Sequence, residues 1–148
     1  MIFRRAKDSL ASDTQAIADT GYLVALARQE DEHHEWAVEL SGELQLPLLT
    51  CEAVLAETAF ILESSSHVLA MLKRDVLRIA LDCARHVDQL HDLALRYADR
   101  KPDLADLCLI RMSELYPHHR VITVDESDFR VYRRNKREAI PLLCPPKR

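Results

Sequence analysis

The 148-residue sequence predicts a single-domain α/β fold built on a mainly parallel sheet. Three observations predict it. Short apolar runs alternate with longer segments of helical period, as when strands are joined by crossover helices. The chain has only two glycines, too few for an all-β fold full of tight turns or for a glycine-rich phosphate loop. Finally, two apolar runs stop on aspartate: "AIAD" at Asp19 and "VITVD" at Asp125. Ligand sites of parallel sheets lie beyond the carboxyl ends of the strands, so these two acids are expected on the same edge.

The elements follow in order. Residues 1–14 form an N-terminal arm and 15–148 the domain. "QAIAD" (15–19) reads as a strand, "TGYLVALARQ" (20–29) and "HHEWAVELSGEL" (33–44) as helices, and "LPLLT" (46–50) as a strand. Thr50 is placed to cap the helix "CEAVLAETAFILESS" (51–65). "HVLAMLKRDVLRIALDCA" (67–84) reads as one long amphipathic helix, with a short strand near His86–Val87 and another helix at "VDQLHDLALRYADR" (87–100). Pro102 restarts the chain into the helix "DLADLCLIRMSELY" (103–116). "RVITVD" (120–125) is a strand, "ESDFRVYR" (126–133) a short helix and "EAIPLL" (138–143) a last strand.

Composition bounds the class. Hydrophobic residues make up 48%, a globular content, and no apolar run reaches the ~18 residues of a membrane span. The N-terminus has basic residues but no apolar core of a signal peptide. Cys51, Cys83, Cys108 and Cys144 are widely spaced, so a reduced, cytoplasmic protein with packing cysteines is expected. Net charge is −4, which excludes a globally basic nucleic-acid binder. The segment "RVYRRNKR" nevertheless carries Arg130, Arg133, Arg134, Lys136 and Arg137. It is either a solvated helix face or a track for RNA phosphates. No two histidines are spaced i, i+4, so no zinc site is expected. Trp36 reads as a core or interface anchor.

The acids are the informative residues. Asp103, after Pro102, is placed as a helix N-cap, with Asp106 at the third helical position. Asp125 and Asp128 repeat that spacing at the next helix start. Capping explains Asp19 less well, because Thr20 is an adequate cap and a carboxylate after a buried strand is costly unless paired. On the helix 51–65, Glu57 borders the apolar arc while Glu52 and Glu63 point away from it. Asp19, Glu57, Asp106 and Asp125 thus lie on four elements that can converge. Four carboxylates in one pocket repel one another, and a hard divalent cation is the natural remedy. With no nucleophile motif, such a site suits metal-assisted phosphodiester hydrolysis.

"IADTGYLVAL", "LTCEAVLAETAFIL", "DLADLCLI" and "VITVDESDF", in that order, resemble the successive motifs of PIN-domain ribonucleases, more narrowly the VapC-type toxins of toxin–antitoxin pairs. The resemblance spans roughly residues 15–143. It implies a three-layer α/β/α sandwich, Mg²⁺ or Mn²⁺ as cofactor, RNA as substrate, and an antitoxin and a second copy of the chain as partners. By position it implies Asp19, Glu57, Asp106 and Asp125 as core acids, Asp103 and Asp128 as accessory acids, and Thr20 and Thr123 as nearby hydroxyls. Leu107 and Cys108 depart from the small residues usual after the third acid. Two other functions compete: an inactive PIN-like binding module, and a metal-dependent phosphoesterase acting on something other than RNA.

Overall fold

The computed structural model describes residues 14–147. The strands are β1 (Ala16–Ala18), β2 (Leu48–Thr50), β3 (Leu77–Ile79), β4 (Arg120–Ile122), β5 (Arg133–Arg134), β6 (Glu138–Ala139) and β7 (Leu142–Leu143). The helices are α1 (Thr20–Ala27), α2 (His34–Ser41), α3 (Glu52–Leu62), α4 (Ser65–Lys73), α5 (Val87–Arg96), α6 (Leu104–Leu115) and α7 (Glu126–Val131). Five strands form a parallel sheet in the order β3-β2-β1-β4-β7, while β5 and β6 pair as a separate antiparallel hairpin. The expected arm falls outside the described residues except for Thr14, which bridges to Leu44.

β1 sits at the centre of the sheet, and Ala16, Ile17 and Ala18 are fully buried, as a strand covered on both faces requires. α1 packs against α2 and α3, and α3 against α4. α6 lies on β1 and β4 and carries α5 on its outer side. Cys108, Leu109, Ile110 and Met112 of α6 are fully buried, so bulk after Asp106 is absorbed by the core. The result is the three-layer sandwich. No helix among the described residues is long and apolar enough to cross a membrane.

The chain departs from β1 to β2 and β3 on one side, then crosses to β4 and β7 on the other. The strand order therefore reverses between β1 and β4. Their carboxyl ends stay paired, with the Asp19 N–H bonding the Ile122 carbonyl at 3.1 Å, and a reversal of this kind leaves a crevice just beyond them. Asp19 follows β1 directly, and Asp125 stands three residues beyond β4.

Several elements differ from expectation. The long helix over 67–84 is instead α4 followed by β3. Asp75 adopts the left-handed conformation (φ 58°), and the N–H groups of Asp75 and Val76 bond back to the carbonyls of Leu72 and Met71. That is a Schellman closure on a non-glycine residue. The short strand expected at His86–Val87 is a 3₁₀ turn, Cys83–His86, running into α5. Thr50 does not cap α3: Cys51 holds that position, and the Thr50 hydroxyl donates to the Ala18 carbonyl at 3.1 Å. The helix over 126–133 ends at Val131, and Arg133–Arg134 turn through left-handed Asn135 and Lys136 into the hairpin. The expected last strand divides into β6 and β7, of which only β7 joins the main sheet. Trp36 packs edge-on against Tyr22, with ring centroids 5.9 Å apart, as a core anchor.

Candidate metal centre at the sheet edge

Asp19 is the N-cap of α1 and takes the role expected of Thr20. One carboxylate oxygen accepts from the Thr20 N–H at 2.7 Å, the other from the Thr123 hydroxyl at 2.7 Å. Thr123 in turn accepts from the Asp125 N–H at 3.0 Å. One hydroxyl thus ties the end of β1 to the turn after β4. Asp19 is only 8% exposed. Burial pushes its carboxyl up to about 6 against the opposing pull of the Thr123 and Thr20 bonds, and the charges of Glu57 and Asp103 add to the rise.

Asp106 projects from the first turn of α6. Its own N–H is capped by Asp103 at 2.8 Å, as the spacing foretold. Its carboxyl is raised to about 7, first by burial and then by the charges of Asp103 and Asp19. One of its oxygens accepts at 3.1 Å from the hydroxyl of Tyr132, whose side chain is buried just after α7. Burial and the adjacent Asp106 charge hold the Tyr132 phenol well above its ordinary range, so it stays a donor. Asp125 occupies the N-cap position of α7 but makes no capping bond. Its carboxyl is raised by partial burial and by Asp128.

Carboxylate oxygens of Asp106, Asp125 and Asp128 lie within 4.8 Å of one another. Asp19 and Glu57 line the same cleft, of about 360 Å³, without joining that closest trio. Asp19 stands back because both its oxygens are held by the flanking threonines. Asp128, expected as an accessory acid, stands in the trio because the turn of α7 carries it onto the face of Asp125. All six acids drawn from the sequence, Asp103 included, line this cleft, with Arg100 and Lys101 the cations in its lining. Gly21 closes its floor: a Cβ there would overlap the Val124 side chain, so only glycine lets α1 approach the turn after β4 so closely.

The donor set fits a hard divalent cation. It offers carboxylate oxygens and no sulfur or imidazole, within reach of one ion. The Thr20 hydroxyl is buried in the cleft lining with no hydrogen-bond partner among the described residues, a polar atom available to an ion's water shell.

A model of the PIN domain matches residues 16–135. The chain belongs to the PIN-domain family. Among solved structures, Mycobacterium tuberculosis VapC20, described as a sarcin–ricin loop cleaving toxin, shares its fold: the TM-score is 0.67 at 19% identity, over 77% of this chain and 94% of that one. No curated protein matches the sequence.

The basic segment of this PIN domain is not the uniform surface expected. Arg134 is 6% exposed. Its guanidinium bonds the carbonyls of Ser113 and Pro117, each at 3.0 Å, and Glu138 at 2.9 Å, so it staples the hairpin to the end of α6 and cannot present itself to RNA. Arg133 donates to the carbonyls of Arg130 and Tyr132, and Arg130 pairs with Glu126 at 2.9 Å. Lys136 and Arg137 stand exposed on the hairpin. Two residues of the cleft escaped the sequence altogether. Arg100 carried no periodic signal, and Tyr132 was masked by the charges around it, although it stands four residues after Asp128.

Proposed function

We propose that this PIN domain is a Mg²⁺- or Mn²⁺-dependent ribonuclease and the toxin of a toxin–antitoxin pair, acting in the cytoplasm. The convergence of six carboxylates on one cleft at the reversal of strand order carries the reading. The fold shared with VapC20, itself described as a sarcin–ricin loop cleaving toxin, supports RNA as the substrate class. No core acid is replaced, which favours an enzyme over an inactive binding module.

Asp106, Asp125 and Asp128 would hold the cation, with Asp19 and Glu57 completing the negative field around it. A bound cation supplies water activation and charge neutralisation at the phosphoryl group. The chain does the rest. Thr20 and Thr123 fix both oxygens of Asp19. Tyr132 fixes one oxygen of Asp106 and leaves the other toward the cleft. Asp106, raised to about 7, must lose its proton before it ligates, so metal affinity rises with pH through about 7. Lys136 and Arg137 stay available to RNA phosphates, and exposed Phe60 and Leu69 of α3 and α4 offer apolar surface to an antitoxin or a second copy. The test incubates purified protein with total RNA in Mn²⁺ or in EDTA, beside Asp19→Asn and Asp106→Asn. Cleavage in Mn²⁺ by the parent alone supports the reading. Equal cleavage in EDTA, or full activity in both variants, overturns it.

A further inference from the structure

Arg100 does more than line the cleft. It ends the 3₁₀ turn Ala98–Arg100, and the left-handed Lys101 and then Pro102 fix its approach to α6. From there its guanidinium reaches Asp128 on α7 at 2.8 Å, with both side chains 38% exposed. Among the described residues no other ion pair engages any of the six acids of the cleft. Asp128 is also one of the three acids close enough to share an ion. The same carboxylate is therefore claimed twice, by a resident guanidinium and by any cation that enters.

We infer that Arg100 is an exchangeable counter-cation: it neutralises Asp128 while the cleft holds no metal, and once a divalent cation takes Asp128 it turns to a phosphate of the RNA. The inference rests on the metal-dependent ribonuclease reading and assigns Arg100 a role in substrate binding. Its chemistry suits the exchange. Guanidinium cannot be deprotonated, and its planar fork matches carboxylate and phosphate alike. Its partial exposure places it at the rim, where a strand laid across the acids would pass. Metal and RNA should then bind with positive coupling, each favouring the state in which Arg100 has left Asp128.

The test uses the whole chain with Arg100→Gln and Arg100→Lys, and calorimetry of Mn²⁺ without RNA. The glutamine variant is expected to bind Mn²⁺ about two- to fivefold more tightly, because an exposed ion pair no longer competes for Asp128. Lysine, still a cation, should lie between. Binding of a cleavage-resistant phosphorothioate RNA is then followed against salt in Mn²⁺. The glutamine variant should bind more weakly, with a log–log salt slope shallower by about 0.7, the value of one phosphate contact on a single strand. Unchanged or weaker Mn²⁺ binding in Arg100→Gln, or an unchanged salt slope, overturns the inference and leaves the nuclease reading standing. A parent that binds no Mn²⁺ removes the reading and the inference together.

Discussion

Replacing Asp19 by asparagine should stabilise the metal-free protein while destroying its function. The carboxyl of Asp19 is raised from its ordinary 3.8 to about 6. Its folded value exceeds its unfolded value, so the ionised group opposes folding. Above pH 6 both states are ionised and the opposition is complete, about 3 kcal/mol. Stability recovers as pH falls from 6 toward 3.8, where the folded protein alone takes up the proton. Asparagine removes this opposition and keeps an acceptor for the Thr20 N–H. It gives up the charged acceptor of the Thr123 hydroxyl, a loss of about 1 kcal/mol. The net gain is about 2 kcal/mol, or about 4–8 °C in melting temperature for a domain of this size. Relief of Asp106, which feels the Asp19 charge, acts in the same direction. The assay is thermal melting in EDTA near about pH 7.5 and about pH 5. At the lower pH the opposition falls to roughly half, and the mutant's advantage should nearly vanish. Added Mn²⁺ should raise the parent by about 2.7 kcal/mol at a hundredfold excess over its dissociation constant, and the mutant by less. A mutant that melts below the parent in EDTA, with an undiminished response to Mn²⁺, would refute the crowded-carboxylate account and make Asp19 a cap alone.

Four further outcomes are expected. Asp103→Asn should keep most RNA cleavage, because asparagine caps α6 as well as aspartate, whereas Asp128→Asn should lose activity with Asp106→Asn; parallel cleavage assays separate them. Tyr132→Phe should fold and melt within a few degrees of the parent yet bind Mn²⁺ about tenfold more weakly, since the bond orienting Asp106 is gone; equal affinity by calorimetry would return Tyr132 to a packing role. Arg134→Met should cost about 2–4 kcal/mol in urea unfolding, as buried carbonyls and Glu138 lose a charged donor. Reversing Lys136 and Arg137 to glutamate should instead leave stability alone and flatten the salt dependence of RNA binding.

The elements legible in the sequence were those whose local pattern and global role agree. The runs "AIAD" and "VITVD" announced β1 and β4 because a buried parallel strand is apolar throughout and its carboxyl end is where a carboxylate becomes useful. β3 was illegible for a physical reason. Its apolar residues continue the helical stripe of α4, and the break is made by Asp75 in a conformation usually left to glycine. The hairpin β5–β6 hid inside a run of charges, since a buried arginine looks like a surface one until its partners on α6 are in place. In the cleft, Asp103, Asp106, Asp125 and Asp128 were singled out by spacing at helix starts, Asp19 by the end of an apolar run and Glu57 by helical phase; of the expected caps, Asp103 makes its bond and Asp125 does not. Which of them draw together was not readable, because it depends on how far α7 turns Asp128 beside Asp125. Arg100 and Tyr132 reach the acids across 28 and 26 residues, separations that no window along the chain can show.

The bond from Thr123 to Asp19 spans 104 positions of sequence. Its consequence is one of timing. β1 and its aspartate emerge early in synthesis, but the strand that completes their surroundings arrives near the end. At ~5–20 residues per second, the 106 residues from Asp19 to Asp125 take roughly 5–20 s to make. Throughout that interval the growing chain holds one wall of the cleft and lacks the opposite one. Under the nuclease reading proposed above, the cleft is thus incomplete until the last elements of the chain are free to pair.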